Sequence, residues 1–105
     1  MTNKKILGML GLASRARKIT FGADATENEI KKNKIYLIIV AEDASERTKE
    51  KFIKTAKTYN VPIIVCDTID NLSKAIGKQN KAIIGVKDIN IAIKIDKINR
   101  SDVNG

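Results

Sequence analysis

Three short runs of consecutive apolar residues constrain the fold of this chain more than any other feature. The runs cover residues 37–41, 63–66 and 82–86, and β-branched side chains dominate them without polar alternation. A strand that is apolar on both faces is typical of a sheet covered by helices on both sides. The pattern therefore predicts three buried strands, and the shorter run 18–21 predicts a fourth strand at a sheet edge.

Helical patterns separate these strands, and the second helix is unusual because Ile30 is its main apolar anchor. A chain of 105 residues is long enough for one domain with its own core. We therefore predict a single α/β domain over 1–105, a three-layer α/β/α sandwich on a four-stranded mixed sheet, with a core over 4–98 and frayed ends. The predicted helices cover 4–14, 24–32, 45–59, 68–76 and 88–98.

Acidic residues follow the first buried strand, where α/β enzymes often place catalytic groups. Glu42 and Asp43 occupy this place, and the sequence contains no histidine. The pattern from Asp43 to Glu46 is also that of a capping box, with Asp43 as the N-cap of the third helix. We favour capping over catalysis and expect no enzymatic activity. Similar signals predict that the fourth helix begins at Thr68 and ends at Gly77.

Composition excludes several kinds of chemistry. Without histidine there is no histidine base or histidine metal ligand, and the single cysteine, Cys66, excludes an internal disulfide and a structural zinc site. Cys66 lies in an apolar run and is predicted to be a small buried hydrophobe. No glycine-rich nucleotide motif follows a strand. We expect no metal, no cofactor, no membrane-spanning segment and a reduced, cytoplasmic location.

The net charge of +8 favours an anionic partner, with nucleic acid ahead of an acidic membrane surface. Arg15, Arg17 and Lys18 place three cations within four residues and predict a phosphate-contacting loop. The turn at Gly22 then leads into the polar second helix, whose N-terminus is suited to an anion. The basic loop 77–81 is predicted at the same end of the sheet, where it would form the other wall of a cleft.

These segments together resemble the L7Ae/L30e superfamily of kink-turn RNA-binding proteins, and most closely its small bacterial L7Ae-like group related to ribosomal proteins. The resemblance covers about residues 4–98 and implies an L30e-like fold. The matching segments are LGLAxRAxK at 10–18, Gly22, LIIVAEDAS at 37–45, YNVP at 59–62, LxxAIGK at 72–78 and the strand at 82–86.

The resemblance also implies a function and a site. Family members bind kink-turns, sharply bent RNA duplexes with tandem sheared G·A pairs; the second helix enters the widened major groove, and the loop after the fourth helix covers an extruded nucleotide. The implied phosphate contacts are Arg15, Arg17, Lys18, Lys31 and Lys78; the groove residues are Gly22, Asp24, Ala25 and Asn28; Ile76 and Gly77 would pack on the nucleotide.

The groove residues depart from the family pattern. Archaeal and eukaryotic members carry Asn-Glu-x-x-Lys after the glycine turn, and Asp24, Ala25 and Asn28 align with those positions. A second register starting at Asn28 spells a similar motif but needs a four-residue deletion before the next strand. We predict a monomer that binds structured RNA, ribosomal or in another ribonucleoprotein. The alternative is a protein-interaction module associated with a ribosomal or RNA-processing partner.

Overall fold

The computed structural model describes residues 3–104, with side chains described up to Ser101. Helix α5 continues well past its predicted end at residue 98, and Asn3 caps α1; Met1, Thr2 and Gly105, also predicted as frayed, lie outside the described residues. The elements are α1 Lys4–Arg15, β1 Ile19–Phe21, α2 Ala23–Lys31, β2 Leu37–Val40, α3 Glu46–Tyr59, β3 Ile63–Val65, α4 Ile69–Ala75, β4 Ile83–Val86 and α5 Ile89–Asn104.

The strands form one mixed sheet in the order β1-β4-β2-β3. β4 is antiparallel to both of its neighbours, whereas β2 and β3 are parallel. β1 is therefore an edge strand, as predicted. Every residue of β2 and of β4 is buried, which explains why their sequences carry no polar alternation.

Helices cover both faces of this sheet. α1 packs against α4 and α5, while α2 packs against α3 and against β1 and β4. The core between the layers contains Phe52, Leu72 and Ile95, all fully buried. The α/β sandwich with a four-stranded mixed sheet is confirmed.

The N-cap of α3 is Ser45, and the prediction of Asp43 in that role was wrong. The Ser45 hydroxyl accepts a hydrogen bond from the Thr48 backbone N–H at 3.1 Å. Glu46 is then the first helical residue, too early to reach back as in a capping box. The Asp43 carboxylate instead accepts a hydrogen bond from the backbone N–H of Ile69, at the start of α4, at 2.8 Å.

Neighbouring carboxylates tie chain segments together in the same way. The Glu42 side chain accepts a hydrogen bond from the Asp67 N–H at 2.8 Å. Asp67 is only 2% exposed, and its carboxylate accepts bonds from the backbone N–H groups of Asn3 and Thr68 and from the Asn71 side chain. Burial raises the pKa of Asp67, but these bonds outweigh burial and hold that pKa below its ordinary value. The acids after β2 and β3 therefore act as backbone acceptors at helix starts.

The sheet has two distinct ends, which we call upper and lower. β1, β2 and β3 finish at the upper end, where β4 begins. The lower end holds the loops from α1 to β1, from α2 to β2, from α3 to β3 and from β4 to α5. This division decides which predicted site residues share a surface.

Candidate nucleic-acid interface

Helix α2 begins at the upper end without a side-chain cap. Its N-cap is Gly22, whose φ of 89° and ψ of 155° place it in backbone space that glycine alone enters readily. The Gly22 N–H donates to the carbonyl of Ile83 at 2.9 Å, so strand pairing fixes the point where the helix starts. The first-turn N–H groups have no intrahelical acceptor, and the helix dipole favours a negative charge beside them.

A buried threonine explains how so polar a helix stays on the sheet. Thr26 is fully buried, and its hydroxyl lies 2.8 Å from that of Thr20 on β1. Gly85 makes this approach possible, since a Cβ there would lie 2.6 Å from the Thr20 hydroxyl and 2.9 Å from the Thr26 methyl. Together with Ile30, Thr26 anchors α2. The sequence indicates Ile30 as an anchor but not Thr26, because a threonine in so polar a helix is expected to be exposed to solvent.

The opposite face of α2 is open to solvent. Glu27 and Glu29, on the flanks, pair with Lys51 and Lys87 at 3.5 and 3.6 Å. Because the helix begins at Ala23, Asp24 and Ala25 of the first family register fall on its first turn and Asn28 on its second. The alternative register, which starts at Asn28, lies in the second half of the helix. The exposed residues of this face include Asp24, Ala25, Asn28 and Lys31.

The start of α2 borders an open pocket of about 440 Å³. Gly22, Asp24 and Ala25 line one side, and Asn80 and Lys81 line the other. The loop between α4 and β4 is thus the second wall of a cleft, in the place that the sequence predicts.

A phenylalanine orients the cations of this second wall. The ammonium group of Lys78 lies 4.7 Å from the centroid of the Phe21 ring, and that of Lys81 lies 5.6 Å from it. Such cation–π contacts hold flexible lysine side chains in place. Sequence reasoning selected Lys78 but not Phe21 or Lys81. An aromatic residue directly before the Gly22 turn was the available signal.

The loop beneath these lysines is fixed by its backbone. Gly77 has a φ of 69°, and the Lys78 N–H donates to the Ser73 carbonyl at 2.8 Å, which closes the C-terminal turn of α4. The Lys81 N–H donates to the Ser73 hydroxyl at 2.8 Å. Ile76 is only 4% exposed and belongs to the core. The structure therefore corrects the role expected of Ile76: its side chain supports the loop from below instead of facing a nucleotide.

The predicted loop from Arg15 to Lys18 does not reach the pocket. The Lys18 carbonyl accepts a hydrogen bond from the Lys87 N–H at 2.7 Å, which places this loop at the lower end. Lys31, at the other end of α2 from Gly22, also lies there. The predicted phosphate contacts are therefore divided between two surfaces, with Lys78 at the pocket and the other cations away from it.

Other chemistry finds little support in the part of the chain that the structure describes. No cluster of three or more histidine, cysteine or acidic side chains in residues 3–101 has the geometry to hold a metal. No helix among the described residues is long and apolar enough to cross a bilayer. Cys66 is 8% exposed, and burial raises the pKa of its thiol to about 11, which confirms the buried thiol predicted there.

Comparisons with known proteins show which family the sequence matches. Residues 4–95 match the model of the ribosomal protein L7Ae/L30e/S12e/Gadd45 family. The RNA-binding protein YlxQ of Bacillus subtilis (strain 168) is 33% identical over 95 residues, which span 90% of this chain and 95% of YlxQ. Enterococcus faecium YlxQ is also 33% identical, over 90% of this chain and 91% of its own length.

Solved structures share the fold. A Bacillus halodurans protein of unknown function superposes with a TM-score of 0.88 at 32% identity, over 91% of this chain and 97% of its own. The Giardia lamblia 15.5kD RNA binding protein has the same fold, with a TM-score of 0.78 at 16% identity over 95% and 92% of the two chains. This chain therefore belongs to the ribosomal protein L7Ae/L30e/S12e/Gadd45 family.

Proposed function

We propose that this protein binds structured RNA, and kink-turns in particular, in the pocket between the start of α2 and the loop from α4 to β4. One observation carries the proposal: the uncapped N-terminus of α2 faces two lysines held over Phe21 across an open pocket. The names of the YlxQ relatives, both RNA-binding proteins, support the class of ligand. The net charge of +8 supports it as well.

Recognition in this pocket rests on the backbone more than on side chains. Ionised Asp24 cannot donate a hydrogen bond to a guanine acceptor, and Ala25 has no polar side chain. Asn28 can donate and accept, but it lies one turn farther along α2. The main donors are thus the first-turn N–H groups, which donate to phosphate oxygens or to acceptors on base edges whatever side chains are present.

Lys78 and Lys81 supply the charge on the facing wall. Because both ammonium groups lie close to one ring, the Phe21 contact restrains both lysine side chains before a phosphate arrives. An extruded nucleotide would lie between this site and the start of α2. Gly77, exposed in the turn, leaves room for it.

A second candidate function is docking of a protein partner, which one observation favours. An apolar pocket of about 270 Å³ lies between the start of β2 and α5. Tyr36, Ile89 and Ile93 border it and are 42%, 52% and 47% exposed. Apolar docking there would be nearly insensitive to salt, whereas RNA binding in the α2 pocket weakens steeply as salt rises.

The lysine pair gives the direct test of the pocket. In the double variant Lys78→Gln/Lys81→Gln, we expect affinity for a kink-turn RNA to fall about tenfold or more, and the slope of log K against log salt to become shallower by about two. A salt titration with labelled RNA measures both.

The matched control is Lys94→Gln/Lys97→Gln, which removes the same charge from exposed positions on α5. We expect it to leave the salt slope nearly unchanged. Equal losses in the two double variants would show that net charge alone attracts RNA, and would contradict a specific role for the pocket.

A further inference from the structure

The lower end of the sheet is a second basic surface, built by three loops that share hydrogen bonds. The Lys18 carbonyl accepts from the Lys87 N–H at 2.7 Å, which joins the α1–β1 loop to the β4–α5 loop. The Tyr36 N–H donates to the Val86 carbonyl at 2.8 Å, which brings in the α2–β2 loop. The cations of these three loops therefore face solvent around one end of the molecule.

These cations are exposed and lack carboxylate partners. No ion pair joins any of the five exposed ones to an acid within residues 3–101. The nearby acids are already engaged: Glu29 pairs with Lys87 at 3.6 Å, and Asp88 accepts a hydrogen bond from the Ile91 N–H at 3.0 Å. The lower surface consists of Arg17, Lys18, Lys31, Lys32 and Lys34.

Closed turns fix the backbone of two of these loops. Arg17 and Asn33 have φ angles of 58° and 60°, and each lies just past the end of a helix. The next N–H closes the turn in both loops: Lys18 donates to Ala13 at 2.8 Å, and Lys34 donates to Glu29 at 3.0 Å. Two matching closed turns thus fix the backbone that carries these cations before any ligand binds, which lowers the ordering cost of binding.

The lower surface is separate from the pocket. The three residues of β1 lie between Lys18 and Gly22, which spaces the two Cα atoms by about 13 Å at the usual rise of a strand. Lys18 directly precedes β1 at the lower end, and Gly22 directly follows it at the pocket. The pocket and the lower surface therefore lie at opposite ends of β1.

The types of residue on this surface indicate which kind of partner it binds. Loop residues 16–18 and 32–34, which carry four of the five cations, contain no apolar side chain larger than alanine and no aromatic ring. The same α2–β2 loop does contain Tyr36, which is 42% exposed and borders the apolar pocket together with Ile89 and Ile93. Protein interfaces are anchored by buried apolar or aromatic side chains, and single-stranded nucleic acid is held by stacking on aromatic rings. A cluster of cations without either feature fits the phosphate backbone of a duplex.

We propose that the lower surface is a second RNA-binding site, which takes the phosphate backbone of a duplex segment while the pocket holds a kink-turn. The protein then bridges two RNA segments from opposite ends of one sheet. The bridging role rests on the proposed function of the pocket, whereas duplex binding at the lower surface does not.

A bridging assay tests this directly. Kink-turn RNA is fixed to a surface, the full-length protein is captured, and a labelled perfect RNA duplex is added. We expect the unmodified protein to recruit the duplex. In Lys31→Gln/Lys32→Gln/Lys34→Gln, we expect unchanged capture by the kink-turn and duplex recruitment reduced about tenfold or more, with a salt slope shallower by about two to three. The control Lys4→Gln/Lys5→Gln/Lys97→Gln removes three exposed charges from the start of α1 and the second half of α5, away from the lower surface, and should recruit normally.

Two results would overturn the proposal: equal loss of the duplex in the control variant, or equally strong binding of phosphatidylserine vesicles by this surface. The same variants are also titrated with the duplex in the absence of kink-turn RNA. If the unmodified protein shows no kink-turn preference, the proposed function fails, and this second titration still decides whether the lower surface binds duplex RNA.

Discussion

Replacing Gly22 by alanine is expected to lower both the free energy of unfolding and the affinity for RNA. The φ of 89° and ψ of 155° at Gly22 lie in a region that side chains disfavour, at a cost of about 1–3 kcal/mol. No atom lies within 4 Å of the position a Cβ would take, so the cost is conformational and not a clash. Because the same residue aims the first turn of α2, any relaxation turns its N–H groups away from the pocket.

Gly8 provides the matched control for this change. A Cβ at Gly8 also meets nothing within 4 Å, but Gly8 lies inside α1 with helical backbone angles. Gly8→Ala should therefore stabilise the protein by roughly 0.5–1 kcal/mol without altering RNA binding. Chemical denaturation measures both variants. A Gly22→Ala protein as stable as the unmodified one would contradict the backbone account of this turn.

Replacing Asp24 by asparagine is expected to strengthen RNA binding. Asparagine can donate to a guanine acceptor, which ionised Asp24 cannot, and the change removes a negative charge from the rim of the pocket. One good bidentate base contact is worth about 1–3 kcal/mol, so affinity for a kink-turn RNA should rise about fivefold to a hundredfold. The free energy of unfolding should fall by about 0.3–1 kcal/mol, because an acid in the first turn of α2 interacts favourably with the helix dipole.

Asp70 supplies the control, since it is an exposed acid in the first turn of α4, away from the pocket. Asp70→Asn removes the same charge and a similar dipole interaction, together with a surface ion pair to Lys74. Its affinity for kink-turn RNA should change little. If both variants gain affinity equally, the gain comes from net charge, and Asp24 does not face a base.

Local sequence patterns are sufficient to predict the helices and strands of this fold and their order along the chain. Continuous apolar runs predict buried strands because only a sheet covered on both faces accepts them. Gly22 and Gly77 stand at the two turns that border the pocket, where positive φ is required. These signals depend on neighbouring residues in the chain, which is why the sequence alone reveals them.

Contacts between distant segments were harder to predict. Asp43 follows β2, yet its carboxylate accepts a hydrogen bond from the start of α4. Ser45 is the N-cap of α3, a role that local spacing assigns to Asp43. The contact of Phe21 with Lys78 and Lys81 depends on how β1 pairs with β4, which no local pattern specifies.

The division of the cations between two surfaces has the same origin. Arg17 and Lys18 are close to Gly22 in sequence, so local pattern assigns them to one site with it. An extended strand of three residues nevertheless carries Gly22 to the other end of the sheet. Nearness along a strand is therefore poor grounds for a shared site, because each added residue moves the chain by about 3.3 Å.

A titration of the unmodified protein against a kink-turn RNA, at physiological salt and magnesium, tests the central claim most directly. The control is the same RNA with its sheared G·A pairs replaced by Watson–Crick pairs. A clear preference for the kink-turn is the expected result, with the backbone at the start of α2 and the lysine pair providing recognition in spite of Asp24 and Ala25. Equal, weak binding of both RNAs would contradict it.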